Sequence, residues 1–136
     1  MAKTAADYRS FYKNRSTTLQ VLAATDDQAE FIAPKSANHQ IFVQKITVGI
    51  TTYSAKTWTF EDGAGTPVPI WHISIPAAAG TTAGDATYEI DFGAEGVGLT
   101  IGEGLSLNVS AAGAAGMIKV EAYEKLANVV AVASTN

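Results

Sequence analysis

Few residues in this chain have the type and spacing that enzyme chemistry requires. The two histidines, His39 and His72, lie in separate predicted strands. A catalytic triad needs a histidine beside both an activated serine and an acid, which neither local sequence indicates. We therefore interpret both histidines as residues at strand edges, and a hydrolase is the enzyme alternative that stays open.

Two glycine-containing segments match known motifs only in part. Residues 96–102 (GVGLTIG) have one residue too many between the last two glycines for a dinucleotide-binding loop, and no strand–helix context surrounds them. Residues 80–84 (GTTAG) have the spacing of a nucleophile elbow with threonine in place of serine, but no helix follows. Both segments are predicted to be loops.

An acidic run, Asp85, Glu89, Asp91 and Glu95, is the one cluster that suggests a cation site. Its spacing does not match a calcium-binding loop, so ordinary solvent-facing residues are expected, with a loop site for a hard cation as the alternative. The chain has no cysteine, which excludes disulfides and thiolate metal ligands. We predict no catalytic residue, no cofactor and no metal, and a protein that is not an enzyme.

Composition limits the class of protein further. The chain has 136 residues, the length of one domain. Its net charge of −4 argues against nucleic acid as a partner. Its longest apolar run, residues 129–133, is far shorter than a membrane span, and the N-terminus lacks the apolar segment of a secretory signal. We expect a soluble protein made in a reducing compartment, with no membrane partner.

Alternating apolar and polar residues predict strands throughout the body of the chain. The predicted fold class is all-β: a two-sheet antiparallel sandwich of about eight strands, jelly-roll-like, with an extended N-terminal arm. An immunoglobulin-like sandwich is the alternative. The predicted strands are residues 17–23, 28–33, 39–53, 56–62, 68–75, 86–92, 105–109 and 117–123.

Several positions carry more specific expectations. The buried parity changes within residues 39–53, which predicts a bulge or bend, with Gly49 as its natural place. Pro69 predicts an edge strand, because proline cannot donate to a ladder. The long connections 76–85 and 93–104 are predicted to cross between sheets. The predicted core includes Trp58, Phe60, Ile90, Phe92, Leu105 and Leu107.

The two ends of the chain differ from this β pattern. Residues 1–16 are predicted to be an arm, residues 17–126 the sandwich domain and residues 127–136 a C-terminal tail. Residues 1–15 carry a net charge of +3, so the rest of the chain carries −7. Aromatic and arginine side chains often dominate binding energy. The candidate partner-binding residues of the arm are Tyr8, Arg9, Phe11, Tyr12, Lys13 and Arg15.

The tail is apolar, β-prone and uncharged (NVVAVASTN, residues 128–136). A free segment of this kind promotes aggregation, so we expect Val129, Val130 and Val132 to pair within the sandwich or with a neighbouring molecule.

Five segments between residues 41 and 123 resemble a known class of proteins. They are VQKITV (43–48), KTWTFED (56–62), DFG (91–93), GEGLSL (102–107) and GMIKVEAY (116–123). This stretch looks like the small β-sandwich proteins found among the structural genes of tailed bacteriophages.

The resemblance implies a virion protein, most simply a capsid decoration (cement) protein that binds the outer surface of a phage head and stabilises it. Its implied partner is the major capsid protein, and it would be made in the host cytoplasm and reside on the capsid surface. A homotrimer is the expected self-association. The alternatives are another virion component, such as a head fibre base, neck or tail protein, and a receptor- or glycan-binding β-sandwich.

Overall fold

Nine strands form the part of the chain that the structure describes. The computed structural model describes residues 12–22, 28–63, 66–77 and 86–127. Those residues contain no helix long and apolar enough to cross a membrane. The strands are β1 (Tyr12–Val21), β2 (Gln28–Ile32), β3 (His39–Thr52), β4 (Lys56–Asp62), β5 (Val68–Ile75), β6 (Ala86–Asp91), β7 (Val97–Gly98), β8 (Leu105–Val109) and β9 (Ala115–Leu126).

The strands form two antiparallel sheets. The first has the order β1-β9-β3-β6, with the short β7 also paired to β3, and the second has the order β2-β8-β4-β5. The pairs β1–β9, β2–β8, β3–β6 and β4–β5 are nested, so the chain folds back on itself as one long antiparallel ribbon that wraps into two sheets. This arrangement is a jelly roll, and the predicted fold class is confirmed.

The connections also agree with this topology. Strands β1 and β2 lie in different sheets, whereas the first two strands of an immunoglobulin-like constant domain are neighbours in one sheet. The connections from β5 to β6 and from β6 to β8 both pass from one sheet to the other, as the long segments 76–85 and 93–104 predicted. Strand β5, which contains Pro69, lies at an edge of the second sheet, as expected.

The core lies between the two sheets and consists of the inward residues of each strand. Trp58, Phe60, Leu105 and Leu107 are buried as predicted. The ring of Phe60 stacks on Trp71 with 5.6 Å between centroids. Ile90 and Phe92 are only half-buried, because β6 is an edge strand and its apolar side chains reach the margin of the core. The core is completed by the inward side chains of β3 and β9, which are Ile41, Val43, Ile46, Val48, Ile50, Ile118, Val120 and Ala122.

The predicted irregularity in β3 exists, but not at Gly49. The register with β9 passes from Val43 opposite Ala122 to Lys45 opposite Glu121, so Gln44 is the extra residue. A bulge reverses which residues point inward, and the buried parity accordingly changes between Val43 and Ile46. A second irregularity lies between Ile50 and Thr52. The polar Gln44 is tolerated because its side-chain amide donates to the carbonyl of Ala94.

The predicted boundary of the arm is wrong: β1 begins at Tyr12, five residues before the expected strand start at residue 17. Residues 12–16 pair in continuous register with β9. They lack alternating apolar residues because their inward position is taken by Arg15, whose guanidinium contacts a buried carboxylate rather than the apolar core. This first half of β1 is held by backbone pairing and this ion pair, which leave no hydrophobic pattern in the sequence.

Trp58 provides a direct test of the core. Its side chain is fully buried, and its indole N–H has no hydrogen-bond partner in the described part of the chain. Replacing Trp58 with Ala removes a large ring and leaves a cavity, so unfolding should require about 3–5 kcal/mol less free energy. Trp58→Phe keeps most of the ring and removes the unpaired donor, so its loss should stay near 1 kcal/mol or below. Urea denaturation of both variants measures the difference, and equal losses would contradict the assigned packing.

Candidate functional site

Both ends of the described chain meet at one end of the first sheet. Strand β1 begins at Tyr12, opposite Lys125 of β9, and β9 ends at Leu126, opposite His39 of β3. The backbone N–H of Ala127 donates to the carbonyl of Asn38 at 2.8 Å. We call this region, formed by the start of β1, the end of β9 and the connection from residue 33 to residue 39, the terminal end of the sandwich. The predicted arm and tail therefore begin side by side.

A buried carboxylate holds the terminal end together. Glu124 is 3% exposed and lies on the inward face of β9, where Ile118, Val120 and Ala122 precede it. Its Oε1 accepts a hydrogen bond from Arg15 Nη1 at 2.9 Å. Its Oε2 accepts from the backbone N–H of Lys35. One side chain thus connects β1, β9 and the β2–β3 connection.

The β2–β3 connection contains the closest approach to catalytic chemistry in the described residues. Ser36 Oγ lies 2.7 Å from His39 Nδ1. The same Oγ also accepts a hydrogen bond from the backbone N–H of Asn38, and the backbone N–H of His39 donates to the Ser36 carbonyl. These bonds are those of a turn closed by a serine side chain. Ser36 and His39 therefore stabilise the turn of the connection whose Lys35 N–H donates to Glu124.

An aromatic groove crosses the outer face of the first sheet beside the terminal end. Phe42 and Tyr123 are opposite each other on β3 and β9, and their rings stack at 4.9 Å with an interplanar angle of 6°. Lys125 Nζ lies 4.7 Å from the Phe42 centroid, so a cation and an aromatic ring flank Phe42. The groove has a volume of about 500 Å³, and its lining is completed by Asn14, Glu95 and Gly96.

The floor of this groove depends on a close backbone approach. Gly96 has φ +72°, and a Cβ placed on it would lie 2.7 Å from the carbonyl oxygen of Val43. The Tyr123 hydroxyl donates to the Glu95 carbonyl at 2.7 Å. Residues 96–102, which resembled a dinucleotide loop, thus serve as a structural connection: Leu99 is buried and its N–H donates to Ile41.

The acidic run is divided among separate structural roles. Glu89 forms an exposed ion pair with Lys45, with 3.4 Å between Oε1 and Nζ. Asp91 Oδ1 accepts the N–H of Gly93 and so closes the turn that follows β6. Asp85 lies outside the described residues. Within the described ranges no cluster of histidine, aspartate and glutamate has the geometry to hold a metal ion.

The structure places the predicted site residues unevenly. Tyr8, Arg9, Phe11, Val129, Val130 and Val132 lie outside the described residues. Tyr12 and Lys13 belong to β1 and pair with Lys125 and Glu124 in its register. Arg15 also belongs to β1 and is engaged within its own sheet by Glu124, so it is not a charge on an extended arm.

Sequence reasoning missed Glu124, Phe42 and Tyr123. A signal for Glu124 was present: it continues the inward parity of Ile118, Val120 and Ala122, where a charged residue requires a partner. The stacking of Phe42 on Tyr123 had no such signal, because it depends on the register of two strands far apart in the chain.

Comparisons with known proteins add little beyond the fold. No protein family and no curated protein matches the chain. Among solved structures, the chain is similar to a protein from a study described as "Bacillus endospore appendages form a novel family of disulfide-linked pili". The identity is 12%, the match covers 85% of this chain and 88% of the other, and the TM-score is 0.44.

The ion pair at the terminal end predicts an asymmetric mutational response. Glu124 is 3% exposed, whereas Arg15 is 24% exposed. Arg15→Met leaves a buried carboxylate without its partner, so it should lower the free energy of unfolding by about 3 kcal/mol. Glu124→Gln leaves an arginine that can reach water, so it should lower the free energy of unfolding by less. Adding Glu124→Gln to Arg15→Met should restore part of the loss.

Chemical denaturation of the four proteins in this double-mutant cycle measures the coupling. Strictly additive losses would show that the pair contributes nothing as a pair.

Proposed function

We propose that this protein is a virion structural protein, a capsid decoration (cement) protein that binds the outer surface of a phage head and stabilises it. Its partner is the major capsid protein, and its terminal segments make the main contacts. The observation that carries the proposal is that both candidate binding segments begin at the same end of a complete sandwich. The resemblance of residues 41–123 to phage structural proteins supplies the choice of partner.

The described residues need neither segment to complete the jelly roll. The four nested strand pairs lie between Tyr12 and Leu126. Residues 1–11 and 128–136 lie outside these pairs, and we propose them as the segments that contact another molecule. Terminal segments that lie across neighbouring subunits, or that add a strand to an exposed edge, are a common way to join rigid domains.

Charge favours the arm as the first contact. Residues 1–11 contain Lys3 and Arg9 with one acid, Asp7, while the whole chain has a net charge of −4. Tyr8 and Phe11 supply the aromatic anchors, which contribute more to binding than exposed charges do. A decoration protein occupies many equivalent sites, so contacts of modest strength stabilise a shell collectively by preferring its assembled state. We place the protein on the virion surface as a homotrimer with no catalytic activity.

A receptor- or glycan-binding sandwich is the second candidate. The aromatic groove favours it, since sugars stack on aromatic rings and bond to polar side chains such as those of Asn14 and Glu95. The contacts of Phe42 with Tyr123 and Lys125 count against it, because they occupy part of the ring surface on which a sugar would stack. Shell binding therefore remains the preferred function.

Deleting residues 2–11 tests the arm. The truncation must stop before Tyr12, because residues 12–15 pair with β9 and their loss would damage the sheet. The truncated protein should fail to co-sediment with empty, expanded phage shells, or bind at least about tenfold more weakly, while its melting temperature changes little. Tyr8→Ala and Phe11→Ala should weaken binding more than Lys3→Ala, the matched change at an exposed charge. Full occupancy of shells by the truncated protein would contradict a role for the arm in binding.

Deleting residues 128–136 tests the tail. Strand β9 ends at Leu126 and Ala127 is already anchored to Asn38, so the shortened protein should keep its circular-dichroism spectrum and melting temperature. Its binding to shells should fall. Unfolding of the shortened protein would instead assign Val129, Val130 and Val132 to the sandwich itself.

A further inference from the structure

Strand β5 has an open edge at one side of the second sheet. It pairs with β4 on one side, and no strand of the described ranges pairs with it on the other. The other three edge strands carry charged residues, which hinder pairing with another chain: Lys13 in β1, Glu30 in β2, and Glu89 and Asp91 in β6. Residues 71–75 (WHISI) contain no lysine, arginine or acid. We call these five residues the β5 edge.

The hydrogen-bond alternation of an antiparallel ladder identifies which backbone groups of the β5 edge are free. Thr57 of β4 uses its backbone groups on the β8 side: its N–H donates to Ser110 Oγ at 2.9 Å, and its carbonyl accepts the Ser110 N–H at 3.0 Å. Thr57 lies opposite Ser74 of β5. Thr59, two residues further along β4, has the same orientation and lies opposite His72. The N–H and carbonyl groups of His72 and Ser74 therefore point away from β4, and both residues are exposed.

The open part of β5 is limited to these five residues. Before them, Pro69 has no N–H to donate. The register with β4 also shifts between Phe60 and Glu61, which makes Ile70 an extra residue in β5. After them, the strand ends at Ile75. An incoming strand therefore finds a regular ladder only along the β5 edge.

The β5 edge is complementary to a second copy of itself. An antiparallel pair centred on Ile73 places His72 of one copy opposite Ser74 of the second copy, and the same holds in reverse. The four free backbone groups of each copy then exchange hydrogen bonds with those of the other. Trp71 of each copy faces Ile75 of the second copy, which is a favourable aromatic and β-branched pair. No like charges are brought together.

We propose that the β5 edge joins two copies of this protein through a two-fold contact centred on Ile73. The axis is perpendicular to the sheet, so the inner face of one copy continues as the inner face of the other, and the second sheet runs through both molecules. A second copy is the occupant because every residue of the edge matches its own symmetry mate. An isologous contact of this kind closes at two copies. It is therefore separate from the proposed trimer contact and does not depend on the proposed function.

The contact is small, so the pair is weak. Ile73 and Ile75 are already buried within one copy. Pairing therefore adds mainly backbone hydrogen bonds and further burial of the half-buried Trp71. Specific interfaces below about 1,200 Å² belong to weak or transient complexes. We expect a dissociation constant of about 10 μM to 1 mM, so the contact fills mainly where copies are held side by side.

Sedimentation equilibrium of the full-length protein, from low micromolar concentration to about 1 mM, measures this self-association without any partner. Ser74→Pro removes the outward N–H and places a ring there, while every hydrogen bond between β5 and β4 is kept. It should weaken dimerisation at least about tenfold. Ser74→Ala changes the same side chain but keeps the N–H, so it is the matched control and should leave the dissociation constant within about twofold.

Two double variants test the register without proline. His72→Glu combined with Ser74→Glu places like charges opposite each other across the two-fold contact and should weaken dimerisation about tenfold or more. His72→Lys combined with Ser74→Glu places opposite charges there and should dimerise at least as strongly as the natural protein. Thermal melts of both check that the fold is intact. Equal dissociation constants for the two double variants would contradict the proposed pairing.

Three other outcomes would overturn the proposal. Absence of self-association up to about 1 mM would mean that the edge does not pair with its copy. Self-association that is unchanged in Ser74→Pro would place the contact on another surface. Binding to shells that is lost in Ser74→Pro, without self-association of the natural protein, would assign the edge to a shell subunit. None of the sedimentation results bears on shell binding by the arm.

Discussion

The pairing of β9 with β1 on one side and with β3 on the other is the interaction on which the rest of this structure depends. It joins the start of the described chain to its end and places both beside the middle. Such long-range antiparallel pairing carries the full entropy cost of loop closure before its contacts form. The other pairs of the ribbon nest inside it, and the two sheets close over the core.

The buried Glu124 carboxylate fixes the register of the first half of β1 on β9, while Leu19 and Val21 pack on the core in the second half. A slip of one residue between β1 and β9 would move Arg15 to the outer face and leave Glu124 uncompensated in a nearly solvent-free position. Residues 12–16 contain no apolar alternation that could oppose such a slip. In this part of β1 the ion pair supplies the specificity that hydrophobic patterning supplies elsewhere in the sheets. Because Glu124 also accepts from Lys35, the β2–β3 connection is held in place by the same charge.

Groups that carry chemistry in enzymes have structural roles here, and the features suited to recognition gather at the terminal end. Ser36 and His39 close a turn. Gly96 allows the chain to pass close to the backbone of Val43, and Asp91 accepts a hydrogen bond in the turn that follows β6. The start of the arm, the start of the tail and the aromatic groove all lie together there.

Residue order alone predicts the sandwich, most of its strands and most of its core. Alternation around Trp58, Phe60, Leu105 and Leu107 has period two, so the buried face follows directly from residue order. The crossings by the long connections 76–85 and 93–104 were also predicted, but the crossing from β3 to β4 takes only residues 53–55 and leaves no such signal. The predicted features are local, or nearly so, and each leaves its own pattern in the chain.

The start of β1, the position of the bulge and the aromatic groove depend on contacts between segments far apart in the chain. The parity change in β3 required an extra residue, and the structure places it at Gln44, whose side-chain amide donates to the carbonyl of Ala94, 50 residues along the chain. Likewise, Arg15 and Glu124 become partners, and Phe42 and Tyr123 stack, only when β9 is set in register beside its neighbours. Contacts between distant segments leave no periodic signal, because neither side chain's identity specifies the other until the sheet has formed.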